Sequence, residues 1–174
     1  VGGRIRRLTG NLDRVDWREQ EDPEGAIDEG AVILDYKTGR IKALRPDIWA
    51  DDAFWDALDP EKAAEAASEP DPEHDFLPIM AQRIPTVQLL YYCYLYGQAV
   101  LDAAFVALGE DGGERPLFGK GMTIEERERA LSLIPRLIGF ILLHMELCPE
   151  FRPREGAHCR WCSWRNVCII SSQQ

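Results

Sequence analysis

The sequence lacks the two features that would take a chain to a membrane or through it. No uninterrupted apolar run reaches the roughly 18 residues needed to span a bilayer, and no secretory signal pattern is present. We therefore expect a cytoplasmic protein without a membrane partner. The chain opens on Val1 and enters strand-like sequence almost at once, which predicts a piece of a longer protein.

A disulfide framework is also not expected. The 174 residues include five cysteines, and in the absence of a secretory signal these thiols should stay reduced. The chain length and the 45% share of hydrophobic residues suit one domain with a proper core, or one domain with a small appendage. We predict a core at 1–147, which includes an acidic variable insertion at 40–80, and a Cys-rich tail at 148–174.

The excess of acidic charge comes from one segment. Residues 47–75 hold eleven Asp or Glu and one Lys, which accounts for the whole net charge of −10. The rest of the chain holds 19 acidic and 19 basic residues. Because the negative charge is concentrated in one segment, the overall balance does not exclude DNA as a partner.

Hydrophobic patterning predicts an α/β fold with a mixed central sheet flanked by helices. We expect a first strand within 4–17 that bends at Gly10, and a long polar hairpin connection over 17–30. The strongest strand is "AVILDYK" at 31–37. The two strands should form an antiparallel pair.

Helical patterns dominate the rest of the core. Within the insertion, "DDAFWDALD" and "PEKAAEAASE" predict short helices, and "PDPEHDFLP" predicts a loop. A helix is expected over 85–100 and a strand that runs into a turn over 102–112. The longest helix should cover 123–147, because Thr123 and Glu126 form a capping box at its start.

Charged residues end the strand at 31–37, where core residues are expected. Side chains two apart on a strand point to the same face, so Asp35 and Lys37 share a face with Ile33. An Asp at a strand end can ligate a hard divalent cation, and a Lys beside it can stabilise developing negative charge. Hydrolysis of a phosphodiester uses both. The alternative is a surface ion pair worth less than about 1 kcal/mol.

A metal site needs a second carboxylate, and the paired strand offers two. Asp13 and Asp16 both lie there. We favour Asp13, because Gly10 three residues earlier allows the strand to bend into a close contact.

The helix over 85–100 adds two polar groups. Gln88 and Tyr92 lie four residues apart and so share one helical face. Their neighbours are most simply core, but a buried amide must find hydrogen-bond partners. Gln88 and Tyr92 could therefore hydrogen-bond a DNA phosphate or base near the metal.

The tail concentrates three thiols within ten residues, and we call Cys159, Cys162 and Cys168 the tail cysteines. A compact loop can wrap them around one metal centre, and free thiols are the alternative. Zinc could take His158 or Cys148 as a fourth ligand. Cys93, on an aromatic-rich helix, is expected to be a small core residue. The tail also carries arginines and tryptophans, which either contact a DNA backbone or pack locally. These residues are Arg152, Arg154, Arg160, Arg165, Trp161 and Trp164.

Four stretches taken in order, "GNLDRVD", "VILDYKTG", "VQLLYYCYLYG" and "HCRWCSWRNVC", resemble the RecB-like branch of the PD-(D/E)XK nucleases. That branch includes nuclease domains of bacterial helicase–nuclease repair complexes and CRISPR-associated adaptation nucleases. The resemblance covers nearly the whole chain outside 40–80. It implies a restriction-endonuclease-like core and a metal-dependent DNA nuclease, expected to be an exonuclease, in DNA repair, recombination, or phage- or CRISPR-related DNA processing. The implied first partner is DNA, single-stranded or as duplex ends, and the implied second partner is a fused or separate helicase.

The resemblance also implies roles for single residues. Asp13 matches the aspartate of the GxxD motif, and Asp35 matches the acidic residue of the (D/E)xK motif. Both would ligate one Mg²⁺ or Mn²⁺, with the Tyr36 carbonyl as a further ligand, and Lys37 would be the catalytic lysine.

Further positions follow from the same resemblance. Gln88 and Tyr92 match the family's QxxxY motif beside the active site. In the iron–sulfur members, the tail cysteines would be three of four ligands to a [4Fe–4S] cluster, with the fourth upstream of this chain or at Cys148.

One expected element of the family lies outside the sequence. The family usually has an upstream helix with a His or Glu that completes the metal site, and this helix would precede Val1. The three histidines of the chain, His74, His144 and His158, stand elsewhere. The isolated chain could therefore be inactive. Two other functions stay open: a non-catalytic nuclease-like module that binds DNA or a helicase, and a zinc-stapled endonuclease.

Overall fold

The computed structural model describes the chain over residues 7–42, 44–59, 62, 76–97, 99–119, 121–147 and 160–163. In these ranges the strands form one four-stranded sheet in the order β1, β2, β3, β4, where β1 is Arg14–Glu21, β2 is Ile27–Lys37, β3 is Val100–Ala107 and β4 is Glu114–Pro116. The β2–β3 pair is parallel and the two outer pairs are antiparallel.

Helices connect and cover this sheet. They are α1 (Asp52–Ala57), α2 (Leu77–Arg83), α3 (Gln88–Tyr96) and α4 (Ile124–Leu147), preceded by a 3₁₀ helix at Pro46–Ala50. Two parallel neighbours need a crossover connection, and the chain between β2 and β3 supplies it with α1, α2 and α3. The predicted α/β class, with a mixed sheet flanked by helices, is confirmed.

The hairpin between β1 and β2 is much tighter than expected. A long connection over 17–30 is wrong, because both strands continue into this range and the turn occupies only 22–26. The Asp22 carboxylate accepts hydrogen bonds from the backbone N–H groups of Glu24 at 2.9 Å and Ala26 at 2.8 Å. Because β1 is an edge strand with half-buried and exposed side chains, it tolerates the polar residues that resemble a loop.

The main core lies between one face of the sheet and the helices α3 and α4. Ile33, Ala103 and Phe105 contribute the sheet side of this core. The helices contribute buried aliphatic residues and Cys93, which was predicted to be a core residue. Burial raises the pKa of the Cys93 thiol. The opposite face of β2 and β3 carries a second, smaller apolar cluster, which consists of Val32, Leu34, Leu101, Ala104 and Val106.

Part of the acidic segment belongs to this core. Trp49 and Trp55 are both buried and stack with ring centroids 5.6 Å apart, and Ile48 and Leu58 are fully buried. The described part of 40–80 is therefore no peripheral appendage, although it carries many acidic residues. The second short helix predicted there falls on residues outside the described ranges, apart from Lys62. The last residues of the predicted loop already open α2.

The helix and the strand predicted after the acidic segment are both present with different bounds, and one short strand was not predicted. The helix expected over 85–100 is shorter, since α3 begins at Gln88 and Gly97 ends it with φ of +77°. The strand expected over 102–112 corresponds to β3 and the turn after it. β4 was not predicted, because three residues are too few to show a periodicity.

α4 begins as predicted, but its length and composition bear on the expectation that no segment spans a membrane. Its capping box is formed, with the Thr123 N–H donating to Glu126 Oε2 at 2.9 Å and the Glu126 N–H donating to Thr123 Oγ1 at 3.2 Å. By length and composition alone, this helix could cross a membrane, a test that core helices of soluble proteins also pass. The expectation that no segment spans a membrane rested on uninterrupted apolar runs, and Arg136 interrupts the apolar sequence of this helix. The absence of a membrane partner stays a prediction.

A buried carboxylate fastens the segment after β4 to β3. Asp102 accepts hydrogen bonds from the N–H groups of Ala103 at 2.7 Å, Phe118 at 3.1 Å and Gly119 at 3.2 Å. Burial raises the pKa of the Asp102 carboxyl, and the backbone donors oppose that rise. The carboxylate is the acceptor on which these buried N–H groups depend.

We expect Asp102→Ala to lower the free energy of unfolding by about 2–4 kcal/mol, because it leaves buried N–H groups without an acceptor. Urea unfolding followed by circular dichroism measures this change. The matched control is Asp47→Ala, which breaks only an exposed ion pair with Arg45 and should cost less than about 1 kcal/mol. Equal losses in the two variants would contradict the assigned role of Asp102.

Candidate functional site

Asp35 and Lys37 lie side by side at the carboxyl end of β2. Both point to the face that carries Ile33 and that α3 covers. Asp35 is only 3% exposed, whereas a third of the Lys37 side chain reaches solvent. The Lys37 ammonium lies 2.6 Å from Asp35 Oδ2, and it also lies 5.2 Å from the centre of the Phe105 ring. Phe105, which was not predicted as a site residue, supports the lysine from the neighbouring strand.

Asp13 joins this pair from the start of β1. The β1–β2 register places Arg14 opposite Leu34, and one further step along it brings Asp13 opposite Asp35. Residues directly opposite in an antiparallel pair point to the same face. Asp13 Oδ2 also accepts a hydrogen bond from the Tyr36 N–H at 3.1 Å. The structure thus brings Asp13, Asp35 and Lys37 together at one end of the sheet.

Gly10 acts at this end, but not as the bend within a strand that was expected. It precedes β1 and lies against α3. A Cβ atom at this position would be 2.8 Å from Leu95 Cδ1 and 3.5 Å from Tyr91 Cε1. The Tyr91 hydroxyl donates a hydrogen bond to the Thr9 carbonyl at 2.9 Å. The missing side chain therefore lets the segment before Asp13 pack closely on α3.

The Gln88 amide bridges the two charged groups. Its Nε2 donates to Asp35 Oδ1 at 2.7 Å and to the Tyr92 hydroxyl at 2.8 Å. Its Oε1 accepts from the Lys37 ammonium at 2.7 Å. Both amide hydrogens are thus engaged within the protein, although the sequence had indicated a DNA contact for Gln88 and Tyr92. This arrangement can hold Asp35 and Lys37 in fixed orientations.

Asp16, the other carboxylate considered for the metal, is engaged on the opposite face. It pairs with Val32 in the register, on the side away from Asp35. Arg14 donates to it at 2.6 Å and Arg18 at 2.9 Å, and these hydrogen bonds hold the pKa of Asp16 below its usual range. Asp16 is therefore unavailable to a cation beside Asp35.

The oxygen donors at the site fit a hard divalent cation. Asp35 Oδ2 is buried and, within the described part of the chain, has no hydrogen-bond donor, because the contact with Lys37 is close but lies outside hydrogen-bond geometry. The Lys37 ammonium is the group that faces this oxygen, so a metal ligand bond to Oδ2 would require the ammonium to move aside. No cluster of three or more His, Cys, Asp or Glu side chains occurs among the described residues. Mg²⁺ suits such a sparse site, since it keeps several of its waters.

Most of the tail lies outside the described residues. Cys159 and Cys168 fall outside the described ranges, as do Cys148 and His158. Cys162 is half-buried and forms no disulfide. The cluster, the zinc alternative and the DNA-contact surface of the tail therefore stay predictions.

Comparison with known families agrees with this geometry. The family model described as the PD-(D/E)XK nuclease superfamily matches residues 1–169. No curated protein matches the chain, and no solved structure does. Members of this superfamily are generally metal-dependent nucleases with DNA as substrate, and the mixed sheet with flanking helices is consistent with their restriction-endonuclease-like fold. The chain belongs to the PD-(D/E)XK nuclease superfamily.

Proposed function

We propose that the protein is a Mg²⁺- or Mn²⁺-dependent deoxyribonuclease of the RecB-like branch, acting as an exonuclease. The main support is the buried Asp35 with Asp13 and Lys37 beside it at one end of the sheet. Two carboxylates and a cationic side chain at one sheet end are what phosphodiester hydrolysis uses.

Asp13, Asp35 and the Tyr36 carbonyl would hold the cation. A bound ion of this type supplies a nucleophilic water at neutral pH and positive charge beside the phosphate. Asp35 is rigid because it is buried and hydrogen-bonded to Gln88, whereas Asp13 is exposed and anchored through the Tyr36 N–H. One fixed carboxylate and one near the surface leave an open side for the DNA.

Lys37 would stabilise the charge that develops on the phosphate. Its ammonium is partly exposed, so it can contact a substrate without leaving the site. Gln88 Oε1 gives it a second anchor beside Asp35. In this proposal Gln88 is a positioning residue, and Tyr92 orients the Gln88 amide.

Degradation of end-labelled linear DNA tests this function. We expect Mg²⁺ or Mn²⁺ to support the reaction and EDTA to stop it, while covalently closed circular DNA is spared because an exonuclease needs an end. Because the resemblance implies an upstream metal ligand, the assay uses the protein in its native length beside residues 1–174. Absence of metal-dependent cleavage in the native protein would refute the proposal, and equal cleavage of circles would replace the exonuclease with an endonuclease.

We propose that the tail cysteines hold a [4Fe–4S] cluster. Protein purified without oxygen should contain about four iron atoms and equivalent acid-labile sulfide per chain, with the broad visible absorption of an iron–sulfur centre. Cys162→Ser should remove the iron, whereas Cys93→Ala, a change in the core, should retain it. Zinc at about one ion per chain without iron would establish the alternative site. A protein with neither metal would contradict both.

The wider setting is proposed on the resemblance alone. It comprises a cytoplasmic location, a role in repair, recombination, or phage- or CRISPR-related DNA processing, and a helicase that acts with the nuclease. The two-part division of the chain at residue 147 is proposed on the same footing.

A further inference from the structure

The turn after β3 lies directly against the backbone that follows the site lysine. The Gly109 N–H donates a hydrogen bond to the Lys37 carbonyl at 3.3 Å. A Cβ atom placed on Gly109 would overlap the Thr38 carbonyl oxygen and lie 2.9 Å from the Thr38 carbonyl carbon. Only a hydrogen atom therefore fits at position 109 beside the chain that leaves Lys37.

The turn between β3 and β4 is held by its own hydrogen bonds. The Ala107 carbonyl accepts from the N–H groups of Glu110 and Gly112, both at 3.0 Å. Arg115 Nη2 donates to both carboxylate oxygens of Asp111, at 2.9 and 3.0 Å. Because the turn is fixed from within, it resists displacement by a side chain added to it.

The segment after β2 is the side that yields. A Cβ atom at Gly39 would meet no atom within 4 Å, so the chain there has open space around it. β2 remains paired with β3 as far as Lys37, which lies opposite Ala107. A side chain at position 109 would therefore move the peptide between Lys37 and Thr38, the last one of β2.

The Lys37 ammonium tolerates little movement of its backbone. It lies 2.6 Å from Asp35 Oδ2 and 2.7 Å from Gln88 Oε1, so it is held between two oxygens at short distances. Asp35 lies further from the turn, is buried, and keeps the hydrogen bond from Gln88 Nε2 at 2.7 Å. A displacement at the end of β2 would thus separate Lys37 from its partners before it reaches Asp35.

We propose that Gly109 is a positioning residue for Lys37, because its missing side chain lets the turn seat the end of β2 where the ammonium meets Asp35 and Gln88. Its effect on cleavage rests on the nuclease function above. Gly109 is not among the described glycines with positive φ, so alanine fits its backbone conformation and only the contact with Thr38 is at stake.

NMR of the lysine side chains tests this placement without any cleavage. Residues 1–174 hold only four lysines, and Lys37→Ala identifies the Cε–Hε signal of Lys37 in lysine-labelled protein of native length. In EDTA, we expect Gly109→Ala to shift the Lys37 signal and to leave the other lysine signals in place. Gly39→Ala is the matched control and should leave the Lys37 signal unchanged.

Single-turnover cleavage of linear DNA measures the consequence. We expect Gly109→Ala to lower the rate about 10- to 100-fold, since misplacing a group in the site by about 1 Å can cost this much. The Mg²⁺ concentration for half-maximal activity should not rise, because Asp13 and Asp35 keep their places. Gly39→Ala should cleave at the parental rate.

A double-mutant cycle separates positioning from a loss of stability. If Gly109 acts through Lys37, Gly109→Ala should cause no further loss of rate in a Lys37→Ala background. Losses that multiply in the double variant would overturn the proposal, since the glycine would then act elsewhere.

A second variant covers the case in which Gly109→Ala does not fold. Asp111→Ala removes the acceptor of Arg115 and of the Gly113 N–H, which loosens the turn at an exposed position. The Lys37 signal should shift in this variant as well. An unchanged Lys37 signal in folded Gly109→Ala, or in Asp111→Ala where the first does not fold, would overturn the proposal.

The two readouts also separate this inference from the nuclease proposal. A shifted Lys37 signal in Gly109→Ala, together with a parent protein that never cleaves DNA, would uphold the positioning role and refute the nuclease. Cleavage at equal rates by the parent protein and by Gly109→Ala, with an unchanged Lys37 signal, would uphold the nuclease and refute the positioning role.

Discussion

Replacing Lys37 with Ala is expected to reduce DNA cleavage about 10²- to 10³-fold at saturating Mg²⁺, the loss that follows removal of one group that stabilises transition-state charge. The Lys37 ammonium lies between Asp35 Oδ2 and Gln88 Oε1, 2.6 and 2.7 Å away, at the partly exposed mouth of the site. Single-turnover cleavage of end-labelled linear DNA measures the change. Binding of the same DNA should fall much less, because the lost charge acts mainly on the transition state.

The control for Lys37→Ala removes the same charge elsewhere. Arg45 lies in an exposed ion pair with Asp47, and Arg45→Ala should cleave at the parental rate. Urea unfolding of both variants checks that Asp35, left buried without its counter-ion, has not unfolded the sheet. A folded Lys37→Ala protein that cleaves as fast as Arg45→Ala would show that Lys37 has no catalytic role.

Replacing Gln88 with Ala is expected to reduce activity about 10- to 100-fold, as loss of a group that orients a metal ligand does. The change removes the donor to Asp35 Oδ1 and the acceptor of the Lys37 ammonium in one step. Because Asp35 Oδ1 then loses the donor that orients it, the Mg²⁺ concentration for half-maximal activity should rise as well. A loss caused only by lower stability would leave that concentration unchanged.

Two further variants sharpen the role of Gln88. Gln88→Glu places a second carboxylate against Asp35 and should be at least as damaging as Gln88→Ala. Tyr92→Phe removes only the hydroxyl that accepts from the amide, and should have a smaller effect. Gln82 on α2 is an exposed amide, and Gln82→Ala is the matched control. An unchanged Mg²⁺ requirement in Gln88→Ala would assign Gln88 to packing or to DNA contact instead.

The central strand and the pairing of its charged residues were predictable from the sequence. β2 is buried on both faces, so its aliphatic run is continuous and easily recognised. The two-residue period of a strand then puts Asp35 and Lys37 on one face with no further information. Asp13 was predicted from Gly10 and from the GxxD resemblance, because the long connection expected over 17–30 gave no register between the two strands.

Other features depend on packing that a linear pattern does not show. β1 is an edge strand, so its polar residues resemble a loop until pairing with β2 is known. The acidic residues of 47–59 conceal that Trp49 and Trp55 belong to the core. Helical spacing puts Gln88 and Tyr92 on one face, but which groups the Gln88 amide joins depends on how α3 sits on the sheet.

Asp35 offers the most direct test of the metal-dependent site. The measurement is the single-turnover rate of linear DNA cleavage by the native-length protein and by Asp35→Asn, over a series of Mg²⁺ concentrations. Asparagine keeps the size of the side chain and an oxygen for Gln88, but removes the negative charge that a cation needs. We predict metal-dependent cleavage by the parent protein and none by Asp35→Asn at any Mg²⁺ concentration. Equal rates for the two proteins, or no cleavage by the parent, would contradict the assignment of Asp35 as a metal ligand of a nuclease.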